Sequence, residues 1–117
     1  MTVLRGFGIL ILLAASAWCA DVSGNWTGGL ALDTGNHTAA YVHLKQDGNS
    51  ITGTQGPSAD NQFPITKGAI EGEQVTIEAR PGPAVLRLTM KLEGDRLVGD
   101  VFEDGHKIGT VSLQKAR

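Results

Sequence analysis

From residue 38 to residue 46 the chain alternates. Ala40, Val42 and Leu44 fall on one side, and Tyr41, His43 and Lys45 on the other. A period of two residues is the mark of a β-strand with one face buried and one in water. The alternation returns at 84–92, where Leu86, Leu88, Met90 and Leu92 oppose Arg87, Thr89 and Lys91. Shorter versions at 25–32, 51–54, 63–70, 74–80, 96–102 and 107–114 bring the predicted strands to eight. Between them stand residues that accept a positive φ or break a ladder: Asp33–Asn36, Asp47–Ser50, Glu71–Glu73, Pro81–Pro83, Glu93–Asp95 and Asp104-Gly105. The longest irregular stretch is predicted at Gly56–Gln62.

Turn signals this regular indicate an all-β sandwich or barrel. No long crossover separates consecutive strands, so the pattern predicts an eight-stranded antiparallel up-and-down meander. Closing it into a barrel removes the two edges that a meander would leave exposed. Gly28, Gly53, Gly68, Gly99 and Gly109 sit inside predicted strands, where they allow the sharp bending that a narrow barrel needs. Strand parity then sorts the connections. Those near 47–50, 71–73 and 93–95 share one end and are tight, whereas those near 33–37, 55–62, 80–83 and 103–106 share the other. Trp26, at the start of the first strand, belongs to the tight-turn end.

Met1–Cys19 has a different character. Arg5 precedes an apolar run, Gly6–Ala15, and small residues follow at Ala15-Ser16-Ala17 and Ala17-Trp18-Cys19. This is the pattern of a cleaved export signal, too short for a membrane span. Residues 1–19 therefore read as a signal peptide and 20–117 as one β-barrel domain, periplasmic or secreted. Trp18 occupies the place where a lipoprotein has a small residue, so lipid anchoring at Cys19 is not expected. Cleavage after Cys19 would leave no cysteine, and the domain would have to close its core without a disulfide. Without Arg5 the balance is 9 basic residues against 12 acidic ones. That mild acidity, with no basic run, gives no footprint for nucleic acid or an anionic membrane.

Gly24-Asn25-Trp26 opens the first strand. A Gly-x-Trp in that place resembles the small calycin-like barrels of the lipocalin and streptavidin kind. Such barrels occur as exported bacterial single-domain proteins and as modules accompanying exported hydrolases. The resemblance implies that Gly24 and Trp26 form a plug at the closed end. It also implies a cation packed across the ring from the last strand, here Lys115 or Arg117. Ligand, where the family binds one, enters at the opposite, loop-rich end. The chain departs from the lipocalins in its shorter length and in lacking their disulfides and their second and third signature motifs. It departs from streptavidin in lacking the tryptophans that would line a biotin site.

Candidate chemistry is sparse. There is no Walker loop, His-Glu-x-x-His, Cys-x-x-Cys or Gly-x-Ser-x-Gly pattern. Ser58 near His37 or His106 is not fixed into a nucleophilic arrangement by any motif, so no enzymatic activity is expected. Asp33, His37, Asp60, Asn61, Arg80, Glu103 and His106 all map to the loop-rich rim and are the candidate ligand mouth. Two imidazoles with carboxylates could hold zinc, but their spacing matches no ligand pattern, and polar residues are what turns are made of. No metal or cofactor is expected. His43 reads as a solvated residue on the outer face. Asn25-Trp26-Thr27 and Asn36-His37-Thr38 fit the glycosylation sequon, the first expected to be too buried for use.

The remaining question is whether the barrel is full. The expected inward set is Trp26, Leu30, Leu32, Val42, Leu44, Ile51, Val75, Ile77, Leu86, Leu88, Met90, Leu97, Val101, Val111 and Leu113. An eight-stranded interior is just wide enough for such side chains or for one small ligand. Ala40, Ala79 and the strand glycines would thin the wall in places. The preferred reading is a non-enzymatic exported protein that takes a small apolar ligand at the loop-rich end. The competing one is a filled structural or interaction module of the cell envelope, with Val98 and Phe102 as candidates for an outer apolar patch.

Overall fold

The computed structural model describes residues 21–116. The expected signal peptide, Cys19 and Arg117 lie outside the described residues. Eight strands follow one another: β1 (Gly24–Leu32), β2 (His37–Asp47), β3 (Ser50–Ser58), β4 (Asn61–Glu71), β5 (Gln74–Ala79), β6 (Leu86–Glu93), β7 (Arg96–Glu103) and β8 (His106–Lys115). Each pairs antiparallel with the next, and β1 pairs with β8, so the meander closes into a barrel. The closing ladder runs from Trp26 opposite Lys115 to Leu32 opposite Gly109. No described helix is long and apolar enough to cross a membrane.

The period-two pattern sets which side chains enter. Trp26, Val42, Leu44, Ile51, Val75, Ile77, Leu88, Met90, Leu97, Val101, Val111 and Leu113 are all buried in one cluster, as the alternation predicts. Leu30, Leu32 and Leu86 are only half-buried. All three lie towards the end that carries the longer connections, where the barrel opens. Two core residues escape the pattern. Ile70 is buried because a bulge between Ile65 and Lys67 shifts the phase of β4, turning Gly68 and Ile70 inward rather than Lys67 and Ala69. Val22 precedes β1 and is fully buried across the closed end.

The stretch 56–62 is not the irregular loop expected. β3 runs on to Ser58 and β4 begins at Asn61, leaving only Ala59 and Asp60 between them. Pro57 and Pro64 disguise these strands in the sequence. Proline removes a ladder donor and is tolerated where pairing is already interrupted. The β3–β4 ladder shifts register twice, once between Ser50 and Thr54 and once between Gln55 and Ser58. Gln62 replaces part of what is lost. Its Nε2 donates to the carbonyls of Ser58 (2.8 Å) and, across β3, Tyr41 (3.1 Å), while Thr54 Oγ1 donates to its Oε1 (2.8 Å). The longest connection is therefore the one between β5 and β6. It is tied down by Asp104, whose Oδ1 accepts from Val85 N (2.9 Å) and whose N–H donates to Val85 O (2.9 Å). Asp104 itself takes φ 50° beside Gly105 at φ 87°, the positive pair that a two-residue hairpin turn requires.

Two inward glycines are needed for close approach rather than for conformational freedom. A Cβ on Gly28 would overlap the Ser112 carbonyl oxygen, and one on Gly99 the Thr89 carbonyl oxygen. Gly99→Ala is expected to lower stability by about 1–3 kcal/mol in urea unfolding. Gly82→Ala, where an added Cβ meets nothing within 4 Å, should leave it unchanged.

Candidate functional site

The closed end is organised on Trp26, which is 1% exposed. An indole buried this deeply needs a partner for its N–H. Nε1 donates to Val22 O at 2.9 Å. Val22 is held in turn by its own N–H on Gln46 Oε1 (3.0 Å), and Gln46 N donates to Ser23 Oγ (3.0 Å). The residues before β1 thus fold back over the ring and fasten to the end of β2. Lys115 Nζ lies 5.8 Å from the centre of the Trp26 ring, and its Cε lies beside Gly24, at 3.3 Å from where a Cβ would stand. Gly24, at φ 132°, leaves room for the lysine stem. The Asp21 carboxyl is held below its usual range, mainly by the Ser23 N–H and hydroxyl, with a smaller contribution from Lys115. Its stabilising effect is complete above the unfolded pKa and is lost as pH falls through the lowered folded value.

At the opposite end the seven expected mouth residues share one end of the barrel, with Glu103 and His106 paired across the β7–β8 hairpin. Asp33, His37, Asp60, Asn61, Arg80, Glu103 and His106 are all exposed, on or beside the four connections of that end. Among the described residues no group of three or more His, Cys, Asp or Glu is arranged to hold a metal ion. Just inside this rim lies a cavity of about 130 Å³, and none of the seven lines it. Its walls are Leu30 of β1, Thr38 and Ala40 of β2, Phe63 of β4 and Leu86 of β6, with Pro57 and Pro81 at the lip.

The cavity also contains Gln55, which the sequence reading passed over. Gln55 pairs with Val42 and Phe63, so the alternation turns it inward. It is 7% exposed and is the buried polar side chain among the described residues. Its amide has no hydrogen-bond partner among them. A buried carboxamide offers two donors and an acceptor, and leaving them unmet costs about 1–3 kcal/mol. The sequence signal for it was a polar residue in phase with Ile51 and Gly53, masked by the expectation that β3 ended before it.

A second concavity, about 360 Å³, lies on the outer face where Asn25, Thr27, Tyr41, His43, Thr54 and Gln62 surround a shallow groove. It is larger, and four of its polar side chains, Asn25, His43, Thr54 and Gln62, are engaged with one another or with the backbone. His43 Nδ1 and Asn25 Oδ1 are 2.6 Å apart, and Gln62 holds the three contacts described above. The smaller cavity is the one with a buried polar side chain left without a partner among the described residues. Asn25 and Thr27 stand exposed on this outer face, contrary to the burial expected for the first sequon.

Val98 and Phe102 do face outward, but they do not form a continuous apolar patch. Asp100 stands between them on the same face of β7, paired to Lys107 at 3.3 Å, and the Arg87 guanidinium covers Phe102 at 5.0 Å from the ring centre. Comparison with protein-family models, curated proteins and solved structures finds no match for this chain. What the fold and site define is a small, closed, eight-stranded antiparallel β-barrel, sealed at Trp26 and hollow behind the opposite rim.

Trp26→Ala should destabilise the fold by about 3–5 kcal/mol in urea unfolding, since it empties the closed end. Lys115→Met keeps the packed stem and removes the charge, and should cost no more than about 1 kcal/mol. An unchanged midpoint for Trp26→Ala would contradict the plug.

Proposed function

We propose that this chain is a non-enzymatic exported barrel protein that takes a small, mainly apolar ligand at its loop-rich end. The cavity behind the rim, with Gln55 buried and unpartnered in its wall, carries this reading. The residues lining it bear no acid, base or thiol, so they supply containment and one polar handle rather than proton transfer. Its volume of about 130 Å³ is close to that of the cavities of about 150 Å³ known to take up benzene. The occupant is accordingly one ring or a short branched chain, with any longer portion leaving through the lip. Export is supported by the Met1–Cys19 pattern. The calycin-like assignment is supported by Gly24 and Trp26 at the closed end with Lys115 over the ring.

The tight packing of the closed half favours a second reading, a solid barrel acting through an outer face. The two differ in what the protein carries when purified. Native mass spectrometry of gently prepared protein, beside a denatured control, should show a small extra mass in the native spectrum alone. Identical native and denatured masses would favour the solid barrel.

A further inference from the structure

We infer that the ligand of the mouth cavity is a neutral, ring-sized molecule presenting an amide edge, as a lactam does, and that Gln55 reads that edge. The inference rests on the binding role proposed above and specifies its chemistry. Three observations carry it. Gln55 offers a donor and an acceptor side by side, nine-tenths buried and with neither met by the described protein. A group that donates and accepts on one edge answers both at once; a lone carbonyl or hydroxyl answers one. The rest of the wall, chiefly Leu30, Phe63 and Leu86, is apolar and suits the carbon side of a ring.

The third observation is charge. Asp33, Asp60, Glu103 and Asp104 stand at this end against the fixed cations Arg80 and Lys107. A rim of that sign disfavours an anionic ligand, and so the ionised carboxylic acids that would otherwise compete for a carboxamide. Any water that solvates the amide through the lip has to be displaced by a ligand. A ligand gains affinity only if it reproduces those hydrogen bonds while its body covers the apolar wall. Selectivity for the paired edge follows, because a ring that lacks the N–H displaces the water and leaves the Gln55 oxygen bare.

The test is a titration of ¹⁵N-labelled protein with δ-valerolactam and, separately, with cyclohexanone, a ring of the same size that accepts but does not donate. The lactam should bind about tenfold or more tightly. It should also shift the Gln55 side-chain NH₂ signals together with the amides of Thr38 and Phe63. Gln55→Met preserves length and packing without the amide edge. In that variant the two probes should come within about twofold of each other. Equal binding of the two probes to the unmodified protein would overturn the amide assignment while leaving a ligand-binding mouth. So would lactam binding that leaves the Gln55 NH₂ signals unmoved. Absence of any shift at the mouth with either probe at concentrations of tens of millimolar would overturn both. The comparison on the unmodified protein stands even if the variant folds poorly.

Discussion

Closure of β1 onto β8 is the constraint from which the rest of this small protein follows. It leaves no unpaired strand edge, and it also fixes how much room the interior has. Eight strands enclose a space that side chains can fill, and in the closed half they do. Trp26, Leu44, Ile51, Val75, Met90, Leu97 and Leu113 are each at most 1% exposed. Backbones must also approach closely for the barrel to be this narrow. That explains why inward positions such as 28 and 99 have no side chain at all. With no described disulfide or metal site to assist, the fold depends on this packing and on the indole seal.

Filling is uneven along the axis, and the proposed function rests on the unevenness. Towards the loop-rich end the inward residues become smaller or are pulled aside: Thr38 and Ala40 on β2, and half-buried Leu30 and Leu86. The β3–β4 ladder shifts register between Gln55 and Ser58 at that end, and Gln62 ties the irregular strands together from outside. Gln55 lies within that distorted hairpin. A polar residue placed inward there does nothing for the core, which suits a position kept for contact with something else.

Much of this was legible in the chain. Alternation at 38–46 and 84–92, with turn residues between strands, specified eight strands, their order and the sorting of connections to two ends. The resemblance carried by Gly24 and Trp26 pointed to the indole at the mouth of the first strand, which is buried. What stayed hidden has a common cause, the breakdown of the period of two. The bulge after Ile65 reversed the phase that hides Ile70, and the prolines at 57 and 64 made paired strands look like a loop. Gln55 fell inside that supposed loop and was not weighed as an inward residue. The exposed polar residues of the rim drew notice instead, because charge is visible in a sequence and burial is not. Val22 was missed for another reason: a residue ahead of the first strand carries no periodic signal of its own.

The central claim is that Gln55 is held in the wall for a ligand and not for the fold. Its most direct test is the unfolding free energy of Gln55→Met beside the unmodified protein, both stripped of ligand by refolding from urea. If the amide has no partner within the barrel, the substitution should cost nothing and should raise stability by up to about 1 kcal/mol. A loss of about 1 kcal/mol or more would mean that the amide is bonded within the folded chain, and would contradict the account.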